Sequence, residues 1–148
     1  MALVTGASSG IGRSAALALA GHGYDVVVNY ASSRNKAEDV AGEAEKLGAR
    51  VSAVQADVAD EEAVRAMLAV VERDFGRLDA LVNNAGTTID TPPSDLDGLS
   101  MRDWDRVFAV NVRGMFQVTR AAVPLMLIYG EASVVKTARI VVLRPVPQ

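Results

Sequence analysis

The sequence predicts an α/β domain: a doubly wound, three-layer parallel sheet of about five strands between helices, in one domain over residues 1–148. Three observations carry this. Short runs such as Ala2-Leu3-Val4 and Val26-Val27-Val28 are apolar without polar alternation, as expected of strands covered on both faces. Stretches with apolar residues at helical spacing separate them, and the turns between are short. Half the residues are hydrophobic but only 5% are aromatic, which favours α/β packing over an aromatic-rich sandwich.

Taken in order, Ala2-Leu3-Val4 is the first strand, and Gly6, Gly10 and Gly12 follow it at once. Residues 14–20 then form a compact helix-favouring segment that stops at Gly21-His22-Gly23. The second strand is Val26-Val27-Val28 and ends at Asn29-Tyr30; Ser32 or Ser33 can cap the helix striped by Ala37, Val40, Ala41, Ala44 and Leu47, which Gly48 closes. Val51–Gln55 is the third strand. Beyond Asp57-Val58-Ala59-Asp60, the stripe Val64, Met67, Leu68, Val71 and Phe75 marks a helix ending at Gly76. Residues 78–82 form the fourth strand, with Asn83-Asn84-Ala85-Gly86 as its exit loop. A looser segment over 87–99 precedes Ser100-Met101-Arg102-Asp103, a capping box that opens one long helix through Trp104, Val107, Phe108, Asn111, Met115, Val118 and Ala122. Residues 132–135 are the expected fifth strand; an alternative register uses 139–143 but needs an insertion.

Strand, glycine turn and helix is the arrangement that cradles a diphosphate, because glycine allows close approach and the helix N-terminus offers free N–H groups and a positive dipole end. The spacing Gly10-x-Gly12-x-x-Ala15 fits the general dinucleotide fingerprint. The fuller string Thr5-Gly6-Ala7-Ser8-Ser9-Gly10-Ile11-Gly12 is more specific, and resembles the cofactor loop of the short-chain dehydrogenase/reductase family. Asp57-Val58, Asn83-Asn84-Ala85-Gly86 and Asn111 occur in that family's order and near its spacings, and the similarity runs from Ala2 to about Met126, most resembling the 3-oxoacyl-carrier-protein reductase-like members.

The resemblance implies a Rossmann-like fold and hydride transfer between NAD(P)(H) and a small carbonyl or alcohol substrate. It implies that Gly6, Ser8, Ser9, Gly10, Ile11 and Gly12 hold the diphosphate and adjacent ribose, that Asp57 accepts a hydrogen bond from the adenine amino group, and that Val58 adds a backbone contact. Asn83, Ala85 and Gly86 would line the cofactor and steady the central strand; Asn111 would bend its helix and hold a water of the proton relay. For Asp57 the structural alternative is a helix cap ahead of Glu61-Glu62. The second strand ends without the acid that binds a ribose 2′-hydroxyl, and Arg34 and Lys36 lie nearby, so NADP is preferred over NAD; Arg34 reads equally well as a solvated helix start.

The family's catalytic Ser and Tyr-x-x-x-Lys are missing. Tyr129 has its next lysine at Lys136, and the preferred register puts Lys136 at a position usually Asn or a small polar residue, Arg139 at the catalytic serine and Val142 at a usual glycine. The chain is therefore expected to be a truncated member, inactive alone; the competing readings are a non-catalytic dinucleotide-binding or interaction module and a fragment of a longer gene product.

Fifteen basic and 18 acidic residues give a net charge of −3, which disfavours a nucleic-acid partner. Cysteine is absent, excluding disulfides and thiol chemistry and agreeing with a cytoplasmic location. The apolar run 121–129 is about half the ~20 residues needed to span a bilayer, so no membrane partner is expected. His22, the one histidine, reads as a solvated loop residue. An exposed fifth strand and an uncovered long helix, through Val107, Met115 and Val118, predict homo-oligomers or aggregation.

Overall fold

The computed structural model describes residues 1–92, Asp95 and 97–138. Five strands and the helices between them alternate: β1 (Ala2–Val4), α1 (Gly10–Gly21), β2 (Val26–Tyr30), α2 (Arg34–Lys46), β3 (Val51–Gln55), α3 (Glu61–Phe75), β4 (Ala80–Asn83), α4 (Met101–Phe108), a π-helical segment (Ala109–Gly114), α5 (Met115–Met126) and β5 (Ser133–Lys136). All strand pairs are parallel, in the order β3-β2-β1-β4-β5. The chain leaves β1 toward β2 on one side and returns past it to β4 on the other. The sheet therefore has its topological switch between β1 and β4, where ligands of such sheets bind.

Successive strand residues point to opposite faces, and the two faces carry separate cores. Leu3, Val27 and Leu81 pack with Val64, Met67, Val71, Val118 and Ala122 under α3 and α5. Val4, Val26, Val28 and Val82 pack with Ala16, Ala20, Val40 and Ala44 under α1 and α2. This double covering is why β1 and β2 lack polar alternation.

Several boundaries differ from expectation. The fourth strand begins at Ala80, with Leu78 buried in the turn before it, and the fifth is Ser133–Lys136, one residue later than read. The glycine turn is shorter than read, because α1 already begins at Gly10. Ser33 is the N-cap position of α2 but its side chain makes no capping bond. The long helix is not continuous α-helix: after the Ser100–Asp103 capping box, six residues around Asn111 adopt π geometry before α-helix resumes. Val118 is fully buried, against the expectation that it would be uncovered, and Val107 and Met115 are half-buried. The exposed face of this helix is instead Trp104, Phe108, Val112 and Phe116, at four-residue intervals and 50–61% exposed. The reason is helical phase: Val118 and Ala122 lie on the face turned to the sheet, and the aromatic stripe lies opposite. Among the described residues β5 is at one edge of the sheet, with Val134 and Val135 exposed. Residues 139–148, which include Arg139 and Val142 and the alternative strand over 139–143, lie outside the described residues.

Candidate dinucleotide site

The switch point is built from the loops after β1 and β4, locked together by buried polar groups. The Thr5 hydroxyl accepts the N–H groups of Asn84 (2.9 Å) and Ala85 (3.0 Å) and points its own proton at the Val82 carbonyl. The Asn84 amide donates to the carbonyls of Thr5 and Gly6, both at 3.1 Å. Gly6 has φ +61°, and a Cβ there would meet Ala85 Cα at 2.8 Å, so glycine is required for both conformation and clearance. Asn29, at the end of β2 and 1% exposed, completes the lock: Oδ1 accepts the Gly6 N–H (3.2 Å), while Nδ2 donates to the carbonyls of Ala56 (3.0 Å) and Val54 (3.3 Å). One amide thus ties the glycine turn to β2 and to the exit of β3.

From this turn α1 starts with no side-chain cap at its N-terminus. Its N-cap, Ser9, is extended and makes no side-chain capping bond, and the first turn carries no acid. Ser8 and Ser9 line one cavity of about 430 Å³, together with Gly6, Asn29, Ser32, Ser33, Asp57, Val58, Ala85, Gly86 and Arg106. Ile11, exposed beside Gly86, Asn111 and Thr137, lines a second of about 690 Å³. Free N–H groups and a positive helix end between two hollows suit a diphosphate with a group on either side. The donor set therefore fits a dinucleotide.

Of the residues singled out in the sequence, Gly6, Ser8, Ser9, Ile11, Asp57, Val58, Ala85, Gly86 and Asn111 line these cavities. Gly10 has φ +56° and open space where a Cβ would point. Gly12 is buried with its missing Cβ directed at Asn84 Nδ2 and the Gly6 carbonyl, so it is a packing position within the loop. Asn83 is 1% exposed and donates to the Thr119 hydroxyl (3.0 Å), fastening β4 to α5. Arg34 does not line the cavity: its Nε donates to the Tyr30 hydroxyl at 3.1 Å, and Glu38 pairs with it at 3.8 Å. The cap of α3 is Asp60, which accepts from Glu62 and Ala63, leaving Asp57 free of that role. The carboxylate of Asp57 accepts the Ala59 N–H at 2.9 Å and pairs with Arg106 at 2.9 Å. Asn111, in the π-helical segment, uses both ends of its amide on Thr87: Oδ1 accepts the N–H (2.8 Å) and Nδ2 donates to the carbonyl (2.9 Å). The amide so clamps the loop beyond β4. His22 is exposed at the end of α1, beside the Ala18 carbonyl, at the opposite ends of the strands.

Sequence reading missed Thr5, Asn84 and Asn29 as the lock of the site, and Arg106 as a lining residue. Asn29 carried a signal: an amide ending a run of buried valines has to find partners. Arg106 carried none, since only the tertiary approach of α4 brings it to Asp57.

A parallel sheet with a switch-point cleft and a glycine loop at a helix N-terminus belongs to the doubly wound, Rossmann-like fold class. The sequence model of the short chain dehydrogenase family matches residues 1–148. The chain belongs to that family. It is 46% identical over 140 residues to a 3-oxoacyl-[acyl-carrier-protein] reductase of Staphylococcus aureus, covering 95% of this chain and 56% of that protein. A 3-oxoacyl-[acyl-carrier-protein] reductase of Synechocystis is 46% identical over 127 residues, 86% of this chain and 50% of the relative. Among solved structures, a 3-ketoacyl-ACP reductase from Sinorhizobium meliloti superposes with a TM-score of 0.83 at 39% identity, covering 91% of this chain and 52% of that one. A short chain dehydrogenase from Burkholderia cenocepacia in complex with NADP gives 0.79 at 43% identity, over 84% and 50%. The chain spans about half the length of the curated relatives it matches. No described helix is long and apolar enough to cross a membrane.

Proposed function

We propose that these residues form the dinucleotide-binding part of a cytoplasmic NADP(H)-dependent oxidoreductase acting on a small carbonyl or alcohol, a 3-oxoacyl thioester by the names of its relatives. The observation that carries this reading is the N-terminus of α1, without a side-chain cap or a first-turn acid, set between two cavities by the turn that Thr5 and Asn84 lock. When bound, the cofactor supplies the hydride. Ser8, Ser9 and the first N–H groups of α1 bind its diphosphate; Asp57 and Val58 border its base, and Asn111 and Thr87 hold the wall on the other side. NADP is preferred because β2 ends in Asn29-Tyr30, which offers no carboxylate to a ribose 2′-hydroxyl, the Asn29 amide being consumed by backbone. Ser32 and Ser33, rather than Arg34, border that end of the cavity.

Within these 148 residues no Tyr-x-x-x-Lys pair exists, so nothing is poised to exchange the proton that hydride transfer requires. The chain binds cofactor without turning it over. Calorimetric titration should show NADPH binding more tightly than NADH, and the same sample should oxidise no NADPH above background with ketones, aldehydes or acyl thioesters. Equal affinity for both would overturn the NADP preference, and robust turnover the inactivity. The alternative of a non-catalytic binding module gives the same titration, and a native partner protein would favour it.

The exposed stripe of Trp104, Phe108, Val112 and Phe116, running from α4 into α5, favours self-association with a second copy. Asp105 and Arg113 flank the stripe toward its two ends, so an antiparallel helix pair would set opposite charges together. Light scattering should show oligomers at micromolar concentration, and Phe108→Lys with Phe116→Lys should shift the mass toward monomer. A monomer at high concentration would overturn this.

A further inference from the structure

Helices α3 and α5 both run back from parallel strands of one sheet, and so lie parallel to each other on the same face. Val64, Leu68 and Leu125, all buried, close the bottom of the seam between them. Above these, the small side chains of Ala69 and Ala121 leave a groove of about 460 Å³. It shares no lining residue with either cavity at the switch point.

The polar groups of this groove are only partly satisfied from within the protein. Gln117 is 8% exposed, and its Nε2 donates to the Val58 carbonyl at 2.9 Å, a contact that only the amide nitrogen can make. Its Oε1 has no hydrogen-bond partner among the described residues. No fully enclosed side-chain oxygen among them lacks a partner, so Oε1 opens into the groove that Gln117 lines. Pro124, inside α5, has no N–H for the Arg120 carbonyl, which leaves a second acceptor on this helix without its i+4 donor. At the rim, Arg65 and Arg120 donate to one and the same oxygen, Glu61 Oε1, at 2.5 and 2.8 Å. One carboxylate does not neutralise two guanidiniums, each with five N–H donors. The Arg120 guanidinium is also held over the Phe116 ring, 5.4 Å from its centroid, so it is already placed for a ligand.

Together these groups define a ligand chemistry. Two guanidiniums with excess positive charge suit a carboxylate. Acceptors on the neighbouring wall suit an N–H close to that carboxylate, and the alanine and leucine floor suits a branched apolar group. Glu72, at the far end of the groove, keeps the carboxylate to the arginine end. A plain fatty acid lacks the N–H, and a free amino acid would bring an ammonium against the arginines. We propose that the groove between α3 and α5 binds a small N-acylated apolar amino acid. Its carboxylate lies at Arg65 and Arg120, its amide N–H at Gln117 Oε1, and its side chain against Leu68 and Leu125. The site is separate from the dinucleotide reading and does not depend on it.

The test is titration of the whole 148-residue chain with N-acetyl-leucine, followed by the NMR shifts of backbone amides. A ligand of this size is expected to bind with a dissociation constant of about 1 mM, with the shifts centred on α3 and α5. N-acetyl-leucinamide lacks the carboxylate and 4-methylpentanoate lacks the N–H, and each should bind at least about fivefold more weakly. Arg65→Met and Arg120→Met should each weaken N-acetyl-leucine by about fivefold too. Ala69 is exposed, so Ala69→Phe fills the groove without entering the core, and should remove binding while leaving the thermal melt unchanged. Absence of saturable binding by N-acetyl-leucine overturns the proposal. Equal binding of all three compounds also overturns it, as do shifts centred on the loops at the strand ends or an Ala69→Phe protein that still binds.

Discussion

Gly12→Val is expected to abolish dinucleotide binding, by at least about a hundredfold in affinity. A Cβ on Gly12 would fall onto Asn84 Nδ2, within 2.5 Å of the Gly6 carbonyl oxygen and 3.1 Å of Ala7 Cα. Two of these obstacles are backbone, which cannot swing away as a side chain would. Valine must therefore push α1 from the glycine turn and break the Asn84 bonds to Thr5 and Gly6 that shape the site. The resemblance implies that Gly12 holds the diphosphate; the clash that a side chain there would make lies inside the protein, within the loop itself. Overpacking of this kind costs about 1–3 kcal/mol, so a lowered melting temperature should accompany the loss of binding. Gly10→Ala separates the two effects. It meets nothing within 4 Å but must adopt φ +56°, which costs about 1 kcal/mol and leaves the lock intact. Calorimetric titration of both variants with NADPH checks this, and a Gly12→Val protein that binds within threefold of the unsubstituted chain would contradict it.

The largest stability effect is expected at Asn29. Asn29→Ala strips partners from the Gly6 N–H and from the carbonyls of Val54 and Ala56, in a position 1% exposed. Orphaned buried groups cost about 1–3 kcal/mol each and share some relaxation, so a total of about 2–4 kcal/mol is expected. For a chain of this size that lowers the melting temperature by roughly 10 °C. Asn29→Asp should be worse at neutral pH, because a carboxylate would face two carbonyls and cannot donate to them. Its folded-state pKa would rise above the unfolded value of about 3.9, so the charge penalty grows as pH climbs past that value and fades below it. Thermal unfolding followed by circular dichroism at two pH values is the measurement. An Asn29→Ala protein as stable as the unsubstituted chain would show that water replaces the amide.

These two residues show what a linear reading can and cannot reach. The glycine spacing was legible because φ is a local demand: Gly6 and Gly10 take positive φ, and Gly76 closes α3 in the left-handed region, each where the sequence put a turn. The direction in which Gly12 lacks a side chain is a relation to Asn84, across the switch point, and no spacing encodes it.

By itself the sequence determined the alternation of elements, the exact span of β3, the capping box at Ser100 and the loops that meet at the strand ends. Periodicity, turn chemistry and caps act over a few residues, so they survive in one dimension. Tertiary structure decided the strand order, and with it the switch between β1 and β4. It decided that Asp60 rather than Asp57 caps α3, that Arg34 turns to Tyr30, and that Val118 is covered while Trp104, Phe108 and Phe116 are not. It alone brought Arg106 to Asp57 and Asn111 to Thr87. Each of these is a choice among several chemically equivalent partners. Such a choice is settled by which surfaces the packed helices bring together, because hydrogen bonds and ion pairs act over a few ångströms in space, whatever the distance along the chain.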